Sequence, residues 1–192
     1  LPEEWKKVFM SNFHLKENPS EVELQSITNA DSINAHAGKI TSLEPLKEIS
    51  GLKTLIISNT QVNNLEPLKS LPYLENVDCS NTPLTELIAF QDLKGLKNIN
   101  VANTSVKELD PLKNLTTLQS INCSGTKVKK LNPLEGLVSL KKLSFSNTQV
   151  RNLKPLANLK NIEYLECFNT GLNKRKIDRF QKGHPACRII FY

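Results

Sequence analysis

An apolar residue recurs every 22 residues along most of this chain. A fixed period of about 20–50 residues is typical of solenoids, in which each unit buries its apolar side only by stacking on the next unit. This feature constrains the fold more than any other, and it favours a long binding surface over a catalytic pocket. The recurring positions are Ile40, Val62, Leu84, Val106, Val128, Val150 and Leu172.

Two shorter spacings alternate within each unit. Leu55 and Ile57 are two residues apart, which is the spacing of a strand whose successive side chains point to opposite faces. Leu65 and Leu68 are three residues apart, which fits a 3₁₀ turn. Pro67 lies between these leucines and has no N–H group, so this segment is not a central sheet strand. Each unit is therefore expected to contain a short parallel strand, a turn and a compact return segment.

These repeats resemble a known family. Residues 52–62 read L-x-x-L-x-I-x-x-T-x-V, which resembles the leucine-rich-repeat signature L-x-x-L-x-L-x-x-N-x-L, and six good copies lie in phase within about residues 30–173. The 22-residue length and the return sequence LEPL at 65–68 are most similar to internalin-type repeats of bacterial surface proteins. Phosphatase-regulatory repeats of eukaryotes share that length. The resemblance implies an α/β, right-handed solenoid whose parallel sheet of seven or eight strands lines a concave face.

The chain departs from that signature at one position, where threonine replaces the usual asparagine. A threonine hydroxyl group supplies part of the backbone hydrogen bonding that an asparagine amide would supply. Asparagine instead stands one residue earlier in five units, and we interpret Ser-Asn-Thr as a turn motif whose asparagine faces solvent. The threonines are Thr60, Thr82, Thr104, Thr126, Thr148 and Thr170.

We expect one leucine-rich-repeat domain over residues 1–192, closed by a cap at each end, because terminal units would otherwise expose their apolar sides. The helical N-terminal cap would cover 1–29, the repeats 30–173 and the C-terminal cap 174–192. In the N-terminal cap, a helix is expected over 2–13. A second helix would start at Ser20, since Ser20-x-x-Glu23 is a capping box, and would turn Leu24 and Ile27 toward the first strand.

The C-terminal cap is expected to keep the phase of the repeats. A helix over 174–182 would replace the return segment and bury Ile177 and Phe180. A last strand over 186–191 would then place Cys187 in the column of Leu165, one full repeat later.

The net charge of +6 conceals a difference between the two halves of the chain. Residues 1–96 contain 8 basic and 13 acidic side chains, whereas residues 97–192 contain 17 basic and 6 acidic side chains. Such asymmetry either steers an acidic partner or only provides a soluble lysine-rich surface. The basic residues do not follow a groove with interleaved aromatic side chains, so no nucleic-acid partner is expected. No run of about 18 apolar residues is present, so no membrane span is expected.

The residues that usually carry chemistry are dispersed. Cys79, Cys123 and Cys167 recur in every second unit, and strands ~4.8 Å apart would separate them by ~9–10 Å, beyond the ~7 Å limit for a disulfide. All four cysteines are expected to be reduced. His184 and Cys187 lie near each other but have no second pair to complete a metal site. We therefore expect no catalytic residues, no metal and no cofactor.

The outward strand positions form the candidate partner-binding surface. Small polar residues occupy the middle units, and we expect a second column to face outward as well, formed by His36, Ser58, Ser80, Ala102, Ser124, Ser146 and Phe168. Phe168 occupies that column near the C-terminus, where it would either anchor a partner or pack against Ile190. The candidate residues are Lys142, Tyr164, Glu166, Phe168, Asn100, Asn122 and Ser144.

A second candidate surface, the basic edge, lies just past the strands. It would bind an acidic protein, an anionic glycan or phosphate, or would remain a solvated surface without a partner. Its residues are Lys107, Lys127, Lys129, Lys130, Arg151, Lys154 and Lys174.

The repeats favour a non-enzymatic recognition module that acts as a monomer and binds a protein or glycan through the concave face and the C-terminal edge. The resemblance to internalin-type repeats implies an adhesion-like protein that is secreted or lies on a bacterial cell surface. The alternative is an intracellular scaffold or enzyme regulator in the cytoplasm, as the phosphatase-regulatory repeats suggest.

Overall fold

The computed structural model describes residues 1–17 and 19–191. Within these residues, eight short strands form one parallel sheet in chain order, which confirms the expected sheet of seven or eight strands. Each strand is three residues long. The strands are β1 Ser32–Asn34, β2 Thr54–Ile56, β3 Asn76–Asp78, β4 Asn98–Asn100, β5 Ser120–Asn122, β6 Lys142–Ser144, β7 Tyr164–Glu166 and β8 Arg188–Ile190.

The return segments form short 3₁₀ helices opposite the sheet, as the proline positions predicted. Proline fits their first turn because its φ is fixed and its missing N–H group is not needed there. The segment at Ile88 lacks proline and still forms a 3₁₀ turn, with Phe90 fully buried. The segments are Glu44–Glu48, Glu66–Ser70, Ile88–Phe90, Asp110–Leu112, Asn132–Leu134 and Lys154–Leu156.

The core runs the length of the stack between the sheet and the return segments. From β1 to β7 each strand pairs with the equivalent residues of the next repeat, so that Leu55 lies beside Val77 and Val77 beside Ile99. All three side chains are buried. Burying one such side chain stabilises the fold by about 1.5–3 kcal/mol, so the columns of the repeat account for the stacking.

The turn after each strand depends on the threonine and the residue before it. In all six units, the buried or partly buried threonine hydroxyl group donates to the carbonyl oxygen three residues earlier, at 2.6–2.9 Å. The preceding asparagines have φ between 50° and 59°, a left-handed conformation that asparagine tolerates better than most residues. Gly125 takes this place in the fourth of these six units, with φ 69°. The proposed Ser-Asn-Thr turn motif is confirmed.

Two helices, α1 Glu3–Phe13 and α2 Glu21–Thr28, form the N-terminal cap. Trp5 of α1 is completely buried, and its Nε1–H group donates to the carbonyl oxygen of Ser42 at 2.8 Å. The capping box at Ser20 and Glu23 is present. The expectation that Leu24 faces the first strand is wrong, since this side chain is 47% exposed, whereas Ile27 is partly buried against the core. The reason is that α2 packs along α1, and it is α1 that packs against β1.

The C-terminal cap consists of helix α3, Lys174–Gly183, and strand β8. The helix buries Ile177 and Phe180 as expected. The expected phase of the last strand is wrong, because Leu165 pairs with Ile189 and not with Cys187. The α-helix and its connection to β8 use a longer stretch of chain than the 3₁₀ return segments do, so the last strand is displaced along the sequence. Cys187 is nevertheless buried.

Candidate functional site

The outer sheet face is formed by the first and third residues of each strand. In the middle units these polar side chains bind one another. The Asn98 amide group donates to Asn76 Oδ1 at 2.6 Å, and the Asn76 amide group donates to Thr54 Oγ1 at 3.1 Å. A shallow depression of about 250 Å³ lies over these strands. Side chains that satisfy one another in this way offer few strong contacts to a partner.

The candidate residues Asn100 and Asn122 stabilise turns of their own chain. Asn100 Oδ1 accepts a hydrogen bond from the backbone N–H of Ala102 at 3.1 Å, and Asn122 Oδ1 accepts one from Ser124 at 3.0 Å. Local bonds of this kind fix the direction of the backbone after the strand. Each residue therefore uses part of its side-chain hydrogen-bonding capacity within its own turn.

Most of the small residues in the second column that was expected to face outward are buried. Ser58, Ser80, Ala102 and Ser146 are at most 8% exposed, whereas Ser124 is partly exposed. The backbone leaves the strand at this point, and the short side chains lie against the next coil. For example, Ser146 Oγ accepts a hydrogen bond from the backbone N–H of Phe168 at 3.2 Å. Ser58, Ser80, Ala102 and Ser146 therefore do not form part of the outer sheet face, whereas Phe168 in the same column is partly exposed.

The C-terminal end of the face has a different character. Lys142 is exposed, and Tyr164, Glu166 and Phe168 are partly exposed on or just after β7. Ser144 Oγ donates to Glu166 Oε2 at 3.0 Å, which connects β6 to β7. The structure brings these candidate residues together within two neighbouring units.

Arg188 belongs to the same surface, although the sequence did not indicate it. The displaced β8 places Arg188 beside Tyr164, whereas the phase of the earlier repeats would have placed it beside Glu166. Burial raises the pKa of Tyr164, the charge of Glu166 raises it further, and the positive charge of Arg188 lowers it. We call Lys142, Tyr164, Glu166, Phe168 and Arg188 the C-terminal patch.

All seven residues of the basic edge are exposed. Lys174 lies 3.1 Å from Asp178 in the same helix. Within residues 1–17 and 19–191, the other six have no carboxylate group within 4.0 Å. Lys130 shares a surface depression with Glu108 and Asp110. The basic edge therefore provides positive charge that is directed mostly to solvent.

The thiols and histidines form no reactive group. The four cysteines are reduced and buried, as expected, and burial raises the pKa of Cys123 to about 12. His184 is buried against Phe180, with which it stacks at 4.1 Å between ring centroids. In the described part of the chain, no three His, Cys, Asp or Glu residues are grouped so that they could hold a metal ion. None of the described helices has the length and apolarity needed to cross a bilayer.

Comparison with known proteins identifies solved structures that have the same fold. No protein-family model matches this sequence. No curated protein matches it. Among solved structures, internalin C2 from Listeria monocytogenes superposes with a TM-score of 0.86 at 24% identity, over 97% of this chain and 81% of that chain.

Two further structures are similar. The internalin InlF from Listeria monocytogenes has a TM-score of 0.86 at 20% identity, and it matches 99% of this chain and 56% of its own length. A leucine-rich-repeat protein of Leptospira interrogans has a TM-score of 0.61 at 18% identity, over 92% of this chain and 58% of its own. This chain thus spans little more than half the length of these two proteins. It has the leucine-rich-repeat solenoid fold of the internalins.

Proposed function

We propose that this protein is a non-enzymatic recognition module that binds a partner, a protein or a glycan, through its outer sheet face. The observation that carries the proposal is the C-terminal patch, where two aromatic side chains remain partly exposed beside charged residues of both signs. Tyrosine and arginine are over-represented among the residues that contribute most to binding. The patch therefore has the composition of an interface.

The contrast with the middle of the sheet supports this position. There, Asn76, Asn98, Asn100 and Asn122 direct hydrogen bonds to neighbouring side chains or to their own turns. In the C-terminal patch, Lys142 and Arg188 have no carboxylate group within 4.0 Å among the described residues. A partner with an acidic group could pair with either cation, and its apolar groups could cover Tyr164 and Phe168.

The basic edge would support the same interaction from the side of the sheet. Exposed charges of one sign increase the rate at which an oppositely charged partner arrives, and this effect weakens as salt is added. We therefore assign the basic edge a steering role, with its exposed positive charge directed to solvent.

We further propose that the module is adhesion-like and acts outside a bacterial cell. Two of the similar structures are internalins of Listeria monocytogenes, which supports this setting. The alternative is an intracellular scaffold or enzyme regulator. Four free thiols favour that alternative, because extracellular proteins more often contain disulfides than proteins of the cytoplasm do.

Cell binding tests the proposal. Fluorescently labelled protein would be added to cultured epithelial cells, and bound protein would be measured by flow cytometry. We expect Phe168→Ser, which introduces the residue that occupies this column in most units, to lower binding several-fold. Tyr73→Ser is the matched control, because Tyr73 is 64% exposed and lies outside the outer sheet face.

Treatment of the cells separates the possible partners. Loss of binding after protease treatment indicates a protein, and loss after glycosidase treatment indicates a glycan. Equal binding by the wild type and Phe168→Ser would contradict the assigned surface. Binding that appears only after the cells are permeabilised would favour the intracellular alternative.

A further inference from the structure

A cavity of about 210 Å³ lies between the last return segment and helix α3, away from the outer sheet face. Leu153, Phe180 and His184 contribute buried side chains to its wall. Lys154, Lys176 and Arg179 lie at its rim and are exposed. The cavity thus combines an apolar interior with a positively charged opening.

The rim offers hydrogen-bond donors and no carboxylate group. None of the residues that line the cavity is an aspartate or glutamate. Asn152 Oδ1 accepts a bond from the backbone N–H of Lys154 at 3.0 Å, so its NH₂ group remains available. The Lys176 ammonium group donates to the carbonyl oxygen of Arg151 at 2.8 Å and retains two further donors. The rim is therefore complementary to an anion.

His184 adds a second, independent observation. Its imidazole is 6% exposed, and its Nδ1 lies 3.1 Å from the carbonyl oxygen of Phe180. A carbonyl oxygen only accepts, so the proton lies on Nδ1. The other ring nitrogen, Nε2, is buried and has no hydrogen-bond partner among the described residues. Buried polar groups are rarely left unpaired, and because Nε2 carries no proton it can only accept, so it requires an O–H or N–H donor from a water molecule or a ligand.

We propose that this cavity binds a small aromatic anion, that is, one ring carrying a phosphate, sulfate or carboxylate group. An apolar cavity of about 150 Å³ accepts a benzene-sized molecule, so the volume here accommodates one ring and a substituent. The ring would lie against Leu153 and Phe180, and the anionic group would face Lys154 and Arg179. This site is separate from the C-terminal patch, and it does not depend on the function proposed for that patch.

Titration with phenyl phosphate, followed by NMR, tests the site. We expect saturable shifts of the backbone amides of Ala157 and Gly183, which line the cavity, and of the His184 ring nitrogens. Inorganic phosphate lacks the ring and phenol lacks the anionic group. Each is therefore expected to bind at least about tenfold more weakly, since the apolar contact and the charge contribute separately.

Two variants of α3 provide the matched comparison. Arg179→Gln removes a rim cation and is expected to weaken phenyl phosphate binding roughly fivefold. The effect is modest because a solvent-exposed ion pair contributes little to binding. Lys182→Gln removes the same charge from the same helix at a residue that does not line the cavity, and it should bind like the wild type. Both positions are exposed, so neither change should affect folding.

Several results would overturn the proposal. One is the absence of saturable shifts at millimolar phenyl phosphate. Another is equal binding of inorganic phosphate, which would indicate nonspecific attraction to lysines. A third is an equal effect of Arg179→Gln and Lys182→Gln, since general charge and not the cavity would then control binding.

Discussion

Arg188 lies directly beside Tyr164 in the last two strands of the sheet, out of the phase that the repeats keep elsewhere. All earlier neighbouring strands pair equivalent positions of successive repeats, as Lys142 pairs with Tyr164. The longer connection through α3 brings a positive charge to the aromatic end of the outer sheet face. This arrangement has consequences that can be measured at Tyr164.

The titration of Tyr164 should respond in opposite directions to its two charged neighbours. Arg188 lowers the pKa of the phenol group and Glu166 raises it. Arg188→Gln is therefore expected to raise the pKa of Tyr164 further, and Glu166→Gln to lower it. Absorbance at alkaline pH would report the change in a background where the other two tyrosines are phenylalanine. A pKa that is unaffected by Arg188→Gln would contradict the observed pairing of β7 with β8.

The threonine of each turn should contribute to stability through its hydroxyl group. Thr126 is buried, and its Oγ1 donates to the carbonyl oxygen of Cys123 at 2.6 Å. Thr126→Val keeps the shape but removes this donor from a buried carbonyl group, so we expect a loss of about 1–3 kcal/mol in the free energy of unfolding. Urea denaturation measures it. Thr85→Val is the control at an exposed threonine, and it should change stability by less than about 0.5 kcal/mol.

The residue before each threonine should affect stability mainly through the backbone conformation that it can adopt. Asn103 has φ 56°. Alanine is strained there, so Asn103→Ala should destabilise the protein by about 1–2 kcal/mol, whereas Asn103→Gly should cost less because glycine adopts positive φ freely. Equal losses for the two variants in urea denaturation would show that the lost side chain, and not the backbone conformation, determines the effect.

Substitutions at Gly125 and Asn103 should have non-additive effects on the free energy of unfolding. A Cβ atom at Gly125 would meet the side-chain oxygen of Asn103, and its φ of 69° is also unfavourable for alanine. Gly125→Ala should therefore destabilise the wild type by more than it destabilises Asn103→Gly, in which the contact is absent. A double-mutant cycle from urea denaturation isolates this difference. Strictly additive effects would mean that the side chain of Asn103 moves aside without cost.

The buried thiols should be unreactive in the folded protein and should make stability depend on alkaline pH. Burial raises the pKa of Cys123 and Cys167 to about 12 and that of Cys187 to about 11, from an ordinary value of 9.0. Because the folded-state pKa is raised, this stability is complete below about pH 9. It is lost as the pH rises toward 12, since the unfolded chain then releases its thiol protons first.

Thiol labelling and urea denaturation check this expectation. At pH 8 a disulfide reagent should label the native protein far more slowly than the unfolded protein, and Ser70→Cys, at an exposed position, should restore rapid labelling of one thiol. Denaturation at pH 8 and pH 10 should show lower stability at the higher pH. Rapid labelling of native wild-type protein would contradict the observed burial of the four cysteines.

Much of the repeat could be predicted from the sequence, because equal spacing places equivalent residues at equivalent positions in every coil. The column from Ile40 to Leu172 is buried as expected, and the prolines mark the return segments. Of the three predictions that failed, two failed because of local packing. Ser58 and Ser80 are buried because the backbone turns away from the strand direction, and Leu24 is exposed because α2 packs on α1.

The candidate site, like the fold, could be predicted only in part from the sequence. The chain order of the strands was enough to group Tyr164, Glu166 and Phe168, but it did not reveal Arg188 or the cavity beside α3. A repeated unit uses the same number of residues in each coil, so counting along the sequence identifies its neighbours. A helix in the cap follows a different path, and the packing of Ile177 and Phe180 determines where the chain returns to the sheet. The sequence by itself therefore determined the stack and its core, while only the tertiary structure decided which residues complete its C-terminal surface.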